Sequence, residues 1–308
     1  MSARSLRQRL VTMARRLPLL REVAEARDLA RGAPQFVPPG HFYSPIPAIG
    51  EVQRDHARLF QAAGRTLPGI TLNERQQLEL LAGFKPYYAE LCFPEEKEPG
   101  QRYFYNNRFY SYSDAIFLYF MLRHLRPKRV IEVGSGFSSC VTLDTNDRFL
   151  GGKVRCTFIE PYPERLLSLL QPGDAARIEI VRQRIQDVPL ERVLELEAGD
   201  ILFVDSTHVA KIGSDVSYIF TEILPALVPG VHVHFHDVFY PFEYPESWIF
   251  NGRSWTEAYL LRAFLQYNRA FEIELFANYL IHFHRAFFKE HMPLCLEDPG
   301  GSLWLRKV

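Results

Sequence analysis

The chain has little cysteine. Among 308 residues there are four, Cys92, Cys140, Cys156 and Cys295, and none stands in a C-x-x-C pair. That scatter argues against a structural zinc site and against a disulfide framework, and a cytoplasmic location is expected. Net charge is missing as well: 36 Lys and Arg balance 36 Asp and Glu. No global basic field is present to hold nucleic acid, so the expected partner is a small molecule. Also absent is any uninterrupted apolar run near the roughly 18 to 20 residues that a membrane span needs. No internal repeat or low-complexity tract is visible.

What is there is a 47% hydrophobic chain, long enough for one large domain or a domain with an appended segment. From Met1 to Arg21 there are six arginines and no acidic residue, with Leu6, Leu10, Met13, Leu17 and Leu20 at helical spacing. Glu22, Glu25 and Asp28 soon restore the balance, which favours a helix packed on its own domain. A weak membrane-surface contact or a transit-peptide-like role is the other reading. "APQFVPPGHFYSPIPAIG", residues 33 to 50, is too rich in proline and glycine for a regular element and predicts an extended strap. Helical patterning returns in "EVQRDHARLFQAAG" and in "NERQQLELLAGFKPYYAEL", where Asn73 is the expected N-cap. A polar break at 94 to 101 then sets the expected boundary: an N-terminal helical extension over 1–101 and a main domain over 102–308.

Past that break, strands alternate with helices. "RVIEV", "VRCTFIEP", "RIEIV", "DILFVDS" and "VHVHFHD" read as strands, and "SDAIFLYFMLRHLRP", opened by Ser113, "SSCVTLDTNDRFL", "PERLLSLLQ" and "DVSYIFTEILPAL" as helices between them. This is the pattern of an α/β fold, a Rossmann-like doubly wound sheet with helices on both faces. A helix at about 255 to 267 follows, with "FEIELFANY" and "GSLWLRKV" as closing strands. Ligands of such sheets bind at the carboxyl ends of the strands, which directs attention to Glu132, Glu160, Asp205, His236 and Asp237.

"VIEVGSGFSS" places Gly134 and Gly136 in a strand-to-helix turn, where a bulky side chain would keep a nucleotide from the backbone. Ser139 stands where a dinucleotide fingerprint has its third glycine. Glu132, near the end of the first strand, would oppose a pyrophosphate and favours a ligand with an amino group. Glu160, ending the second strand in "FIEP", can take both hydroxyls of a ribose. Together they suggest an adenosine carrying an amino acid.

These residues carry a resemblance. "RVIEVGSGFSS", then "TFIEP" and "DILFVDSTH", resemble the class I S-adenosylmethionine (SAM)-dependent methyltransferases, and flanking segments such as "PPGHFYSPIP" and "HDVFYPFEYPESW" are similar to an uncharacterised bacterial branch of them. The resemblance implies SAM as cofactor, with Glu132, Gly134 and Gly136 at its methionine end and Glu160 on its ribose. It places Gln186 or Asp187 near the adenine and counts Asp205 among the cofactor residues.

The remaining puzzle is "VHVHFHD". His232, His234 and His236 fall at every second position, so they share one face of a strand, with Asp237 just beyond. The catechol O-methyltransferase-like members of the family bind a divalent cation with an aspartate ending the fourth strand and an Asp-Asp or Asp-Asn pair ending the fifth. The resemblance therefore implies a metal set of Asp205, His236 and Asp237. An imidazole in it shifts the expectation from magnesium towards manganese, iron, zinc or no metal at all. Where that group carries a catalytic lysine, three residues past the aspartate, this chain has His208, a candidate general base for a hydroxyl proton. Lys211 is the fallback. His232 and His234 lie inside the strand and are expected to be structural. A metallo-hydrolase H-x-H-x-D-H motif is ruled out by Val238 and Phe239.

Two aromatic stretches, "RYFYNNRFYSYSD" and "FYPFEYPESWIF", offer walls for a sugar or phenolic acceptor, or a subunit interface compatible with a homodimer. Tyr103, Tyr105, Tyr112, Tyr240, Tyr244 and Trp248 are the candidates. The expected function is methylation of an oxygen on a small hydroxylated or sugar-containing molecule, with His208 and Asp205 catalytic. A SAM-binding regulatory or assembly subunit with little turnover is the alternative. A non-haem iron oxygenase, built on His208, His236 and an aspartate, is a lesser one.

Overall fold

A computed structural model of the chain describes residues 36–61 and 64–308. The Arg-rich segment at 1–21 and the start of the strap lie outside the described residues. Contacts divide the chain into two compact units, Met1–Gln61 and Ala62–Val308. In the first, the strap makes turns, with the Gly40 N–H donating to the Ile46 carbonyl at 3.1 Å, before two short helices, Ile49–Arg54 and His56–Leu59.

The second unit begins earlier than the break at 94 to 101 suggests, and α1 (Glu74–Gly83) shows why. Asn73 does precede α1, yet its backbone is left-handed (φ 52°) and its side chain donates to the Ile273 carbonyl at 3.1 Å instead of capping. Gln77, fully buried, accepts from the Phe276 N–H at 2.6 Å and donates to the Leu72 carbonyl. A buried amide is stable only with such partners, so this helix is tied to the main sheet.

Next come α2 (Tyr112–Leu125), β1 (Arg129–Val133), α3 (Phe137–Phe149), β2 (Arg155–Ile159), α4 (Glu164–Leu169), β3 (Glu179–Val181), a single turn α5 (Leu190–Val193) and β4 (Ile201–Val204). α6 runs from Asp215 to Ala226 and is widened by a π turn at Ile219–Ile223; Pro225, which has no N–H to give, interrupts the ordinary ladder there. β5 (His232–Phe235), α7 (Glu257–Leu265), β6 (Phe271–Phe276), α8 (Ala277–Phe283), α9 (Arg285–His291) and β7 (Leu303–Lys307) complete the unit. Ser111, and not Ser113, stands at the N-cap of α2.

The seven strands form one sheet of order β3-β2-β1-β4-β5-β7-β6; β1 to β5 are parallel and β7 enters antiparallel between β5 and β6. Central strands β4 and β5 are buried at every residue, which explains why they read as near-continuous apolar or aromatic runs. α2 is apolar nearly all round and correspondingly buried. Ahead of it, the buried Arg102 bonds Asp144 at 2.6 Å, Asp174 at 2.5 Å and Asp147 at 3.0 Å, a guanidinium whose desolvation is offset by three carboxylates.

Strand register brings the site residues together. Val133 pairs with Val204, and Val204 with Phe235, so β1, β4 and β5 end level. The residues just past them, Gly134, Asp205 and His236, therefore meet at one edge: the Asp205 N–H donates to Val133 and the His236 N–H to Val204.

Candidate active site

A cavity of about 360 Å³ opens at the carboxyl ends of β1, β2 and β4, lined among others by Gly134, Glu160, Gln186, Asp205, Ser206 and Lys211. Gly134 has φ +85°, and a Cβ there would lie 1.7 Å from the Asp205 carbonyl oxygen. The glycine is thus demanded by the close approach of two strand ends, whatever binds. Gly136 starts α3; its N–H donates to Ser139 Oγ at 3.1 Å, so the serine in the third glycine position has a capping task. Glu160 accepts from the backbone N–H groups of Tyr162 (2.8 Å) and Ser135 (3.3 Å), which hold its carboxylate at the cavity wall.

Two expected cofactor residues lie elsewhere. Asp187 is exposed and pairs with Arg184 at 2.7 and 2.9 Å, whereas its neighbour Gln186 lines the cavity. Glu132 is fully buried behind the turn, where the hydroxyls of Ser138 (2.5 Å) and Ser139 (2.9 Å) both donate to its Oε1. Burial pushes its carboxyl up to about 8, the two hydroxyls working against the shift and Asp205 and Glu160 adding to it. Its Oε1 braces the loop through the two serines, and its Oε2 has no partner among the described residues. Around the cavity, Ser135 Oγ, Gln186 Oε1 and Ser206 Oγ are buried with no hydrogen-bond partner among the described residues. Orphaned polar atoms beside a cavity of this size suit a polar cofactor such as SAM.

Asp205 also faces the other way. His208, three residues on, has a left-handed backbone (φ 59°), and its carbonyl accepts from the N–H groups of Thr256 (2.9 Å) and Glu257 (3.1 Å) at the start of α7. Its Nδ1 lies 2.9 Å from Glu257 Oε2; its Nε2 lies 3.3 Å from Asp205 Oδ1 and 3.6 Å from Asp237 Oδ2. His236 Nδ1 is 3.2 Å from the same Asp205 oxygen, and its Nε2 is 3.3 Å from Asp114 Oδ2 on α2. Carboxylate and imidazole alternate without a break: Glu257, His208, Asp205, His236, Asp114.

The charges reflect that alternation. Burial works to lower the pKa of His208, yet Asp205 and Glu257 outweigh it and raise it to about 10. His236 is likewise raised well above the usual imidazole range, against burial, by Asp237, Asp205 and Asp114. Asp205 is held well below the carboxylate range because the two imidazoles overcome its burial, and Asp237 is pushed up to about 6 chiefly by burial.

One donor atom each from Asp205, His208 and Asp237 comes within 4.8 Å of the others, a set able to hold a metal ion. His208 thus joins the expected Asp205 and Asp237, while His236 Nδ1 faces the same two aspartates, 3.2 Å from Asp205 Oδ1 and 3.7 Å from Asp237 Oδ2. A cation would displace the proton from His208 Nε2, while the Nδ1–H donates to Glu257 and fixes the ring, as metal-bound histidines commonly require. The residues fit a divalent cation, with the nitrogen donor favouring manganese, iron or zinc.

The other two histidines of β5 are buried with partners inside the fold. His234 is fully buried, stacked on Phe203 (4.1 Å, 24°), and burial holds it neutral; His232 pairs with Glu274 at 2.7 Å. Of the aromatic candidates, Tyr103, Tyr105 and Tyr244 are buried in the core, Tyr112 stacks on Tyr105, and Tyr240 packs on Tyr279. Trp248 and Tyr244 both stand edge-on to Trp255, at 5.2 and 5.9 Å, and Trp255 packs 4.3 Å from the His208 ring. Sequence reasoning missed Asp114, Glu257 and Trp255. Both acids sit in the first turn of a helix, where acidic residues are ordinary, so nothing marked them.

A methyltransferase-domain family model matches residues 131–238, from β1 to just past Asp237. An uncharacterized protein of Archaeoglobus fulgidus is 37% identical over 172 residues, 54% of this chain and 76% of that relative. With the glycine turn, the strand-end acids and the sheet order, the chain belongs to the class I SAM-dependent methyltransferases. Among solved structures, an SAH-bound methyltransferase of Podospora anserina is 13% identical with TM-score 0.41, covering 90% of this chain and 100% of that one. An O-methyltransferase of Streptomyces achromogenes involved in tomaymycin synthesis, in complex with SAM, is 15% identical with TM-score 0.40, covering 84% and 96%. An O-methyltransferase of Bacillus cereus, in complex with SAH, is 14% identical with TM-score 0.37, covering 72% and 88%.

Proposed function

We propose that this methyltransferase acts on a hydroxyl oxygen of a small acceptor, presented to SAM by Asp205, His208 and Asp237. The observation that carries this is the double position of Asp205, in the wall of the cofactor cavity and at the centre of the carboxylate–imidazole chain. SAM supplies an electrophilic methyl. A neutral hydroxyl is a poor nucleophile, so its proton must leave as the methyl arrives. A divalent cation at these three side chains would lower the pKa of a hydroxyl bound to it. Glu257 holds the His208 ring, His236 backed by Asp114 holds Asp205, and Asp237 completes the face turned to the acceptor.

In this reading His208 is a ligand. As the general base expected from sequence it would first have to shed a proton that the surrounding carboxylates hold, which raises its pKa to about 10. The test is methyl transfer from labelled SAM to a panel of catechols, phenols and sugars, with SAM affinity measured alongside. Expected are loss of turnover with EDTA, recovery with manganese or zinc, and loss in His208→Ala, all with SAM affinity intact. Turnover that survives EDTA but not His208→Ala returns His208 to the role of base. SAM affinity with no turnover on any acceptor favours a binding subunit, and oxygen uptake with bound iron favours the oxygenase.

A further inference from the structure

The loop joining β5 to α7 brings three aromatic rings and one cation against the cluster. Trp255 packs on His208 (4.3 Å between centroids, 32°), Trp248 stands edge-on to Trp255 (5.2 Å, 80°), and Phe239, two residues past Asp237, stands edge-on to Trp248 (5.2 Å, 89°). All three rings are only partly buried. Arg253 is exposed, with its guanidinium carbon 4.4 Å from the Trp248 centroid and 5.5 Å from that of Trp255. The nearby carboxylates Asp205, Asp237 and Glu257 pair with His208 and not with this guanidinium.

We infer that Trp248, Trp255 and Arg253 form an acceptor subsite for a hydroxylated ring that bears an anionic group, a carboxylate or a phosphate. This rests on the methyl-transfer reading and adds the class of acceptor to it. Half-exposed indole faces bind flat or ring-shaped molecules. Arginine is the side chain whose planar fork matches carboxylate and phosphate, and stacking on indole orients the fork while leaving its N–H groups free. Trp255 lies 4.3 Å from the His208 ring and 5.5 Å from the Arg253 guanidinium carbon, so a ring lying along it can reach the cluster with its hydroxyl and the guanidinium with its anion.

Calorimetric titration of the full chain with SAH present tests this, using catechol, 3,4-dihydroxybenzoate and a hydroxyphenyl phosphate. The wild type is expected to bind one of the two anionic probes about tenfold or more tighter than catechol, the worth of a charge-assisted hydrogen bond; which of the two it prefers identifies the anion. Arg253→Gln should erase the preference and leave catechol unchanged, and Arg253→Lys should keep part of it. No preference in the wild type, including binding of none of the probes, overturns the subsite, as does a preference that survives Arg253→Gln. A SAM titration of the same proteins separates the two readings. Normal SAM affinity without probe preference sinks only the subsite, whereas absent SAM binding in the wild type sinks methyl transfer itself.

Discussion

The cofactor cavity and the acceptor cluster share Asp205 but are held together in opposite ways. On the cavity side the contacts are made by the backbone: Glu160 is fixed by the N–H groups of Ser135 and Tyr162, and Gly134 touches the Asp205 carbonyl. Polar side-chain atoms there are left without partners. On the cluster side every ring nitrogen of His208 and His236 faces a carboxylate, and two of those carboxylates come from other elements, Glu257 49 residues from His208 and Asp114 122 from His236. The cavity keeps its donors and acceptors open for a ligand. The cluster uses its own to lock orientation, which is what chemistry on a positioned hydroxyl needs.

The largest expected effect removes the contact common to both sides. Gly134→Ala would put a methyl group into the Asp205 carbonyl at a backbone angle that disfavours any side chain. Strain and overpacking together should cost about 3 kcal/mol or more, and should disable cofactor and acceptor steps at once. Thermal unfolding and SAM titration check it. An alanine variant of wild-type stability would mean that the two strand ends are not in contact.

Glu132 gives the next effect and is a matter of pH. The folded protein keeps this buried proton up to about pH 8, whereas the unfolded chain releases it near 4.5. Between those values the unfolded state binds fewer protons, so SAM-free stability should fall as pH rises, with each unit of displacement worth about 1.4 kcal/mol. Glu132→Gln keeps an acceptor for Ser138 and Ser139 and has no proton to lose. Its melting temperature should match the wild type near pH 5 and exceed it near pH 8; parallel curves would show that Glu132 is ionised in the fold.

Glu257→Gln strikes the cluster alone. It keeps the size of the side chain but takes away the charge that orients His208. Loss of such a partner commonly costs about 10- to 100-fold in metal affinity or activity. Turnover should fall by that much with SAM affinity unchanged, and Asp114→Asn, which acts one link further away through His236, should fall less. Equal losses in turnover and SAM affinity from Glu257→Gln would mean that the two sides are not separately built.

The same division decides what could be read from sequence. The sheet, its glycine turn and Glu160 were legible because each sits a few residues from the end of an apolar strand, where the register of β1, β2 and β4 places it. The Asp205–His208 spacing was legible too. That His208 joins Asp205 and Asp237 in one cluster was not, since its ring is held there by Glu257, which arrives from α7. Glu132 was misplaced for a related reason: a strand-end acid looks the same in sequence whether it faces the ligand or, as here, two serine hydroxyls behind the turn. The start of the main unit was set too late because the tie of Gln77 to Phe276 spans 199 residues.

The smallest effects test the cavity side within itself. Glu160→Ala removes the cavity-wall carboxylate expected to accept ribose hydroxyls, and SAM affinity should then drop about tenfold, in line with charge-assisted hydrogen bonds. Gln186 and Asp187 are neighbours, and sequence alone ranked them together. The backbone of the single turn Ile185–Asp187 sends them apart: Gln186 reaches the Gly213 carbonyl at 2.8 Å and leaves Oε1 buried and unpartnered, while Asp187 turns outward to Arg184. Gln186→Ala should therefore weaken SAM binding by about the worth of one neutral hydrogen bond, roughly three- to tenfold. Asp187→Ala should leave it unchanged. The reverse order in a pair of calorimetric titrations would put the adenine on the outer side of that turn and move the cofactor out of the cavity.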